Sequence, residues 1–247
     1  MRRLKVLFTN KRRPSALVLT FTALTAAFLG LHPAQAADLG RCSPDSQPQT
    51  RCEAKLETLR PTQFAVGLIE VEAKAKKLAK KDHDDYKKYL KKHPIPVIIG
   101  NGGQFYPIDH HHLARALEMI GKSKAVIEIA QNWNALSAAD FWKRMIAQHD
   151  VYLFDETGAP RTTSELPHSI ADLADDPYRS LAGAVEDEGG FQKTGYFVEF
   201  VWAQFFRTRI DRDRIENHFK KAVKAALELA HSPEASSMPG YDDTAAN

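Results

Sequence analysis

Two hydrophobic periodicities alternate along the chain, and their order predicts a protein with both helices and strands. Strong helix formers with Lys-rich exposed faces occupy 66–80 and 82–92, which predicts two helices. The β-branched run at 95–99 predicts a buried strand, and an Asn-Gly-Gly turn separates it from a second short strand at 105–108.

A third helix is expected at 110–120, because Leu113, Leu117 and Ile120 recur at i, i+4 and i+7. Most later patterns are helical, and the order indicates an α+β fold with a small mixed β-sheet, surrounding helices and a mostly helical C-terminal part. The further expected elements are a strand at 124–130, a helix after Ser137, a strand at 151–154, and helices near 177–187, 196–209 and 211–230.

The composition is that of an ordinary globular protein, with 43% hydrophobic and 26% charged residues. It excludes collagen-like, low-complexity and disulfide-rich classes. The expected divisions are a leader at 1–36, a disulfide-tied segment at 37–58, a mixed core at 59–135, a mainly helical extension packed on that core at 136–231, and a disordered tail at 232–247.

Residues 1–36 have the three-part layout of a secretory signal peptide. A basic stretch at 1–13 precedes an apolar run at 16–31, and Ala34-Gln35-Ala36 gives a small-x-small cleavage pattern. The run is shorter than the roughly 20 residues that a membrane-spanning helix needs, and an uncleaved anchor is the alternative. We expect an exported protein, periplasmic or secreted, with no stable membrane insertion after cleavage.

The leader also changes how the net charge is interpreted. The whole chain has 34 Lys and Arg against 31 Asp and Glu, a net charge of +3, but residues 1–36 hold six basic side chains and no acidic one. Without the leader the net charge is −3. Bulk attraction to nucleic acid is therefore excluded, and phosphate binding must depend on a local site.

The two cysteines, Cys42 and Cys52, lie close together just after the expected cleavage site. In an oxidising compartment such a pair predicts one disulfide that closes a polar loop. A metal site is the weaker alternative because no histidine lies in that segment, and the spacing differs from the C-x-x-C of redox-active pairs.

The stretch from 102 to 115 concentrates chemically active side chains. One carboxylate and three imidazoles come at the start of a helix, where unpaired N–H groups and the helix dipole favour phosphate. Histidine adds a general acid or base, and an aspartate can orient it or hold a divalent cation. The candidates are Gly102, Gly103, Asp109, His110, His111, His112 and Arg115.

A structural interpretation of these residues stays open. Asp109 could serve only as a helix N-cap. Three adjacent histidines point about 100° apart around a helix, so at most two converge on one ligand. The spacing also differs from the i, i+4 pair of helical zinc sites.

The run Tyr106-Pro107-Ile108-Asp109-His110-His111-His112 resembles the Y-x-I-D-x-H-H motif of ParB-like nuclease domains, a branch of the ParB/sulfiredoxin superfamily. The resemblance covers roughly residues 57–210 and implies a small mixed sheet with a nucleotide- or phosphate-binding pocket at the helix start. The flanking stretches that carry it are Arg60-Pro61-Thr62-Gln63, Val66-Gly67-x-x-Glu70-Val71, Arg179-Ser180-Leu181-Ala182-Gly183 and 199–207.

The resemblance also suggests roles for residues. In related free-serine kinases an Asp-x-His-His-Arg motif holds phosphates and metal, and an upstream glutamate acts as base. The matching catalytic candidates are Asp109, His111, His112 and, as base, Glu70, with Asp109 also a metal ligand. Leu113 replaces the kinase arginine, and the catalytic cysteine of sulfiredoxin is absent. The candidate phosphate contacts are Arg60, Gly102, Gly103, His110 and Arg115.

Two further patterns have structural interpretations. The aromatic residues between 196 and 206 are spaced as in a buried helix, which favours core over a base-stacking platform. The Lys-rich segment at 74–92 contains enough acidic residues to cancel most of its charge, which favours a solvated helix face over a phosphate-binding one.

Three functions remain open from the sequence. The first is an exported nuclease that hydrolyses phosphodiesters in nucleic acid with a divalent metal such as Mg²⁺. The second is a nucleotide-dependent phosphotransferase, and the third is a non-catalytic protein that binds nucleotide or phosphate. We do not expect a role in chromosome partitioning, because export would remove the protein from the chromosome and no helix-turn-helix pattern follows the motif.

We predict that the exported protein begins at Ala37, because cleavage should follow Ala36. Intact mass spectrometry of protein recovered from an export-competent host measures this directly. A mass that retains the 16–31 apolar run would contradict the prediction and indicate an uncleaved anchor.

Overall fold

The computed structural model describes residues 39–195 and 197–242. The expected leader at 1–36 and the last five residues lie outside these ranges. Within them, the protein has the α+β fold that the sequence pattern predicts, with a four-stranded mixed sheet and a two-stranded sheet. None of the described helices has the length and apolar character needed to cross a membrane.

The helices and strands follow the order that the two periodicities indicate. The strands are β1 (Arg51–Lys55), β2 (Ala65–Val66), β3 (Ile95–Ile99), β4 (Phe105–Pro107), β5 (Lys124–Asn132) and β6 (Ala174–Asp175). The helices are α1 (Leu68–Ala79), α2 (His83–Lys92), α3 (His111–Met119), α4 (Ala138–Ala147), α5 (Pro177–Asp187), α6 (Val198–Arg207), α7 (Arg212–Asn217) and α8 (Phe219–Ala230).

The larger sheet has the strand order β1-β5-β3-β4. Strand β3 runs parallel to β5, and the other two pairings are antiparallel. Strand β3 is almost entirely buried, which explains its continuous apolar sequence. Helix α3 connects β4 to β5, so the first turn of α3 lies close to the end of β4.

Two expected elements differ from the structure. Residues 151–154 form no strand, because their backbone makes only scattered pairings: the N–H of Tyr152 donates to the carbonyl of Thr62 at 2.9 Å, and Phe154 forms an isolated bridge with Pro160. The helix expected at 211–230 is two helices, since the backbone at His218 leaves the helical region with φ −140° and ψ 46°.

A disulfide joins Cys42 to Cys52, as the spacing of the cysteines predicts. Cys52 and Ala54 point into the core from β1, which forms an edge strand of the main sheet beside β5. The N–H of Cys42 donates to the carbonyl of Glu53 at 3.0 Å. The segment expected at 37–58 is therefore integrated into the sheet through β1.

The C-terminal helices enclose a second core around Trp202, which confirms the interpretation of the aromatic run as buried. The ring of Trp202 stacks on Phe191 with centroids 4.5 Å apart. Its indole N–H donates to the carbonyl of Pro239 at 2.8 Å, and Tyr241 packs against the same core. These contacts order residues 232–242, where the sequence indicated a disordered tail.

We predict that the double variant Cys42→Ser/Cys52→Ser has a free energy of unfolding lower by about 2–3 kcal/mol, because the bridge restricts the unfolded chain. The bridged cysteines are separated by 10 residues, so the closed loop is short. Urea unfolding followed by circular dichroism measures the change, with reduced wild-type protein as the matched comparison. Equal midpoints for oxidised wild type and the variant would contradict this prediction.

Candidate functional site

His111 is buried at the first position of α3 and accepts a hydrogen bond from the main chain. The N–H of Thr62 donates to its Nε2 at 3.3 Å. The hydroxyl of Thr62 donates to the carbonyl of Pro107 at 2.6 Å. His111 and Thr62 therefore connect the extended segment before β2 to the start of α3. The Nε2 of His111 already accepts a hydrogen bond, so it is not free to act as a general base.

Burial keeps His111 uncharged. Removal from water lowers the pKa of its ring to about 4, although the charge of Asp109 acts in the opposite direction. A neutral ring is also what the hydrogen bond requires, because Nε2 can accept from Thr62 only when it carries no proton.

His112 has the same arrangement one residue further along. The N–H of Gly67 donates to its Nε2 at 3.1 Å, and Oε2 of Glu70 lies 3.4 Å from the same nitrogen. Burial, followed by the charge of Arg179, lowers the pKa of His112 well below its ordinary value. The ring is therefore neutral and accepts from Gly67, so its contact with Glu70 is not an ion pair.

Glu70 lies in the first turn of α1 and is the partly exposed carboxylate of this group. Its side chain is 38% exposed, whereas that of His112 is 11% exposed. Its Oε2 also lies 3.6 Å from Nη1 of Arg179 on α5. Glu70 therefore has a neutral ring on one side, a cation on the other, and one face open to solvent.

Arg179 is buried and lies between two carboxylates from different helices. Besides Glu70 on α1, it faces Glu199 on α6, with Nη2 3.4 Å from Oε1. Its guanidinium carbon lies 5.3 Å from the ring centroid of Phe200. Within the described residues, its Nε and Nη1 have no hydrogen-bond acceptor, and neither does the neighbouring hydroxyl of Ser180.

Lys193 completes the charged group at its outer side. Its Nζ donates to Oε1 of Glu199 at 2.8 Å. Burial raises the pKa of Glu199, but the charge of Arg179 and the hydrogen bond from Lys193 outweigh it, so this pKa lies below its ordinary value. Burial lowers the pKa of Lys193, but the hydrogen bond and charge of Glu199, with smaller contributions from other carboxylates including Asp109, raise it overall.

Two glycines allow α1 and α5 to approach closely enough for these contacts. A Cβ atom at Gly67 would lie 2.7 Å from the backbone nitrogen of Ser180. A Cβ atom at Gly183 would lie 3.1 Å from Nη1 of Arg179 and 3.3 Å from Oε2 of Glu70. The glycines of the two flanking motifs therefore both permit the close contact between these helices.

The charged group opens into a cavity of about 990 Å³ between α1 and α5. Glu70, Arg179, Lys193 and Glu199 line one part of it, and Lys74 lies one turn after Glu70 on the same face of α1. The carboxylate of Glu70 thus faces a cavity that cationic side chains also line.

Asp109 and His110 lie just before the N-terminus of α3, near the surface. His110, with φ of 61°, is the residue before the helix, and the carboxylate of Asp109 accepts its N–H at 2.6 Å. The ring Nδ1 of His110 lies 2.9 Å from the carbonyl oxygen of Pro94. Asp109 therefore does not cap α3, and neither side chain lines the cavity of Glu70.

The other candidate phosphate contacts have protein partners elsewhere. Arg60 donates from Nη1 to the carbonyls of Glu57 at 2.9 Å and of His168 at 3.0 Å. Arg115 pairs with Glu118 on its own helix. The turn at Gly102 and Gly103 does not line the cavity that contains Glu70. Gly103 instead donates its N–H to the side chain of Asn134 and lies against Pro44.

No metal site accompanies this geometry. In the part of the chain that the structure describes, no three His, Cys, Asp or Glu side chains are grouped so that they could hold a metal ion. Asp109, the expected metal ligand, lacks such companions. The described residues therefore do not fit a resident divalent cation.

Sequence reasoning missed the roles of Arg179, Lys193 and Glu199. The motifs that contain Arg179 and Glu199 were visible as flanking stretches, but they gave no function to either side chain. All three residues lie far from Glu70 in the chain, and a charged residue in a helical pattern usually faces solvent. No local signal distinguishes a buried arginine from an exposed one.

The comparisons with known proteins agree with this fold. Residues 52–208 match a family model described as "Putative ParB-like nuclease", and because the match covers more than half of the chain, the chain belongs to that family. It is similar to the crystal structure of protein Atu1540 from Agrobacterium tumefaciens, with 39% identity and a TM-score of 0.72. That alignment covers 78% of this chain and 97% of the other. No curated protein matches.

We predict that wild-type protein loses stability as the pH falls from 6.5 to about 4, partly because His111 has a folded pKa of about 4. Between these values the unfolded chain binds a proton that the folded protein does not, so acid favours unfolding. This one ring accounts for about 3 kcal/mol. Urea unfolding at several pH values measures the slope.

The matched variant is His111→Gln, which keeps an acceptor near the position of Nε2 but does not titrate. It should be less stable at neutral pH and should show a shallower loss of stability towards pH 4. Parallel pH dependences for wild type and variant would show that His111 does not cause the effect.

Proposed function

We propose that this protein is an exported phosphodiesterase that acts on nucleic acid, with Glu70 as its general base. The observation that carries the proposal is the position of the Glu70 carboxylate. It lies 3.4 Å from the neutral ring of His112 and 3.6 Å from Arg179, and it faces the cavity. Membership in a family of ParB-like nucleases supports the same reaction class.

Glu70 would take a proton from a water molecule in the cavity as that water attacks phosphorus. The oxygen of the water forms a bond to phosphorus, the bond from phosphorus to the leaving oxygen breaks, and the leaving oxygen takes a proton from solvent. A fixed carboxylate suits this step, because a general base must be held within hydrogen-bond distance of the proton that it removes.

The cationic side chains would stabilise the charge that develops on the phosphate. Lys74 and Lys193 both line the cavity that contains Glu70, and the side chain of Lys193 is 55% exposed. Preorganised positive groups beside a developing oxyanion commonly supply a large part of catalysis. Arg179 is buried and faces both carboxylates, so we assign it to positioning Glu70 and Glu199.

The histidines of the motif would act through position. His112 accepts the N–H of Gly67, and His111 accepts that of Thr62, so both fix the segment that leads into α1. We assign them to the placement of Glu70. Asp109, whose charge acts on Lys193, would contribute to the field at the mouth of the site.

Export is part of the proposal. The disulfide between Cys42 and Cys52 supports an oxidising compartment, where such bonds persist. Outside the cytoplasm, polymeric nucleic acid is present but nucleoside triphosphates are scarce. This favours hydrolysis over phosphate transfer from a nucleotide.

We predict that Glu70→Gln lowers kcat for hydrolysis of a chromogenic phosphodiester by about 10²–10⁴-fold, since the amide cannot accept the proton of water. KM should change little because Gln has nearly the same shape. Initial rates measured with and without a chelator provide the test, and thermal unfolding verifies that the variant is folded.

The matched control is Glu72→Gln, two residues along the same helix. Glu72 lies outside the cavity and pairs with Lys76 at 3.8 Å, so its variant should retain wild-type kcat. Wild-type turnover by a folded Glu70→Gln protein would overturn the assignment of the base. Absence of turnover by the wild type would favour a non-catalytic binding protein.

A further inference from the structure

The tertiary structure separates part of the charges that are interspersed in the sequence, and of the acidic residues between 72 and 85 only Asp85 lines the cavity. Four lysines at the C-terminal part of α1 and just after it line the cavity. Glu72 lies on another face and pairs with Lys76. Asp82 also lies outside the cavity and caps α2 by accepting the N–H of Asp85 at 2.8 Å. The cavity-lining lysines are Lys74, Lys77, Lys80 and Lys81.

The lysines form a row that begins at the proposed base. Glu70 and Lys77 are separated by two turns of α1, or about 10 Å along the helix axis. Lys74 lies between them on the same face. A row of cations that leads away from a general base fits a chain of phosphates better than a single phosphate group.

An aromatic ring ends this row. Tyr89 of α2 lines the cavity and is partly exposed. The Nζ of Lys81 lies 5.3 Å from its ring centroid, and the ring of His93 packs 4.4 Å away. Lys81 and Tyr89 thus place a cation and an aromatic ring at the same end, and a base that stacks on Tyr89 would displace Lys81 from the ring.

The cavity has the volume of a ligand-binding site. About 990 Å³ lies at the upper end of the roughly 300–1,000 Å³ that small-molecule sites occupy. A base in a duplex is stacked on both faces, so only a single strand can offer a base to Tyr89.

We infer that the groove between α1 and α5 binds a single strand of nucleic acid, with Lys74 and Lys77 against its phosphates and Tyr89 against a base. This inference rests on the proposed function, because the bound strand would bring a phosphodiester to Glu70. It names the substrate class and the surface that holds it.

The wall of the cavity that α5 forms carries negative charge, which leads to a second expectation. Glu186 and Asp187 of α5 line the cavity across from the lysines. A polyanion is therefore repelled from α5 and held against α1. Removal of the charge at Glu186 should strengthen binding, whereas removal of a lysine from α1 should weaken it.

The test measures binding separately from catalysis. Fluorescence anisotropy of a labelled single-stranded DNA oligonucleotide is recorded at several salt concentrations, with Glu70→Gln as the parent so that no strand is cleaved. Lys77→Ala should lower the slope of log affinity against log salt by about 0.7, the value for one lost phosphate contact. Lys76→Ala, an adjacent lysine outside the cavity, should leave the slope unchanged.

Two further variants test the aromatic and acidic parts. Tyr89→Ala should weaken binding by about fivefold or more, and Tyr89→Phe should retain it, because stacking needs the ring and not the hydroxyl. Glu186→Gln should tighten binding. A duplex of the same sequence should bind more weakly than the single strand.

Three results would overturn the inference. They are an equal change of the salt slope in Lys76→Ala and Lys77→Ala, an unchanged affinity in Tyr89→Ala, and equal affinities for the duplex and the single strand. The outcomes also separate it from the proposed function. The expected binding pattern without hydrolysis of the small phosphodiester would overturn only the phosphodiesterase. Hydrolysis of the small phosphodiester together with indiscriminate oligonucleotide binding would overturn only the single-strand groove.

Discussion

The candidate site depends on the burial of one guanidinium. Removing a cation from water costs several kcal/mol, and Arg179 recovers this mainly through the carboxylates that face it from two other helices. Glu70 on α1 and Glu199 on α6 are those partners, at 3.6 and 3.4 Å. The arginine therefore fixes how α1, α5 and α6 meet, and Gly67 and Gly183 provide the close approach that the contact requires.

The paired histidines have a complementary role. Because burial keeps both rings neutral, each can accept a main-chain N–H from the segment between β1 and α1. His111 and His112 thus convert the start of α3 into an anchor for the start of α1. In the function that we propose, Glu70 is the base and the histidines of the motif act by positioning the segment that leads into α1.

Several features of the fold were predictable from the sequence because their causes are local. The buried run of β3, the helical spacing of α1 to α3, and the capping pattern of Ser137 before α4 act between neighbouring residues. The cysteine pair predicts its own disulfide for the same reason. The strand expected at 151–154 is absent because none of the described strands lies beside it to pair with its backbone, which forms only an isolated bridge from Phe154 to Pro160.

The sequence by itself determined the α+β class, the order of the elements, and the presence of a motif with one aspartate and three histidines. Only the tertiary structure decided that Arg179, Glu199 and Lys193 join Glu70, and that the lysines of α1 face a cavity while Glu72 does not. Periodicity reports which face of a helix is apolar, but the burial of a charge depends on partners brought in by long-range packing.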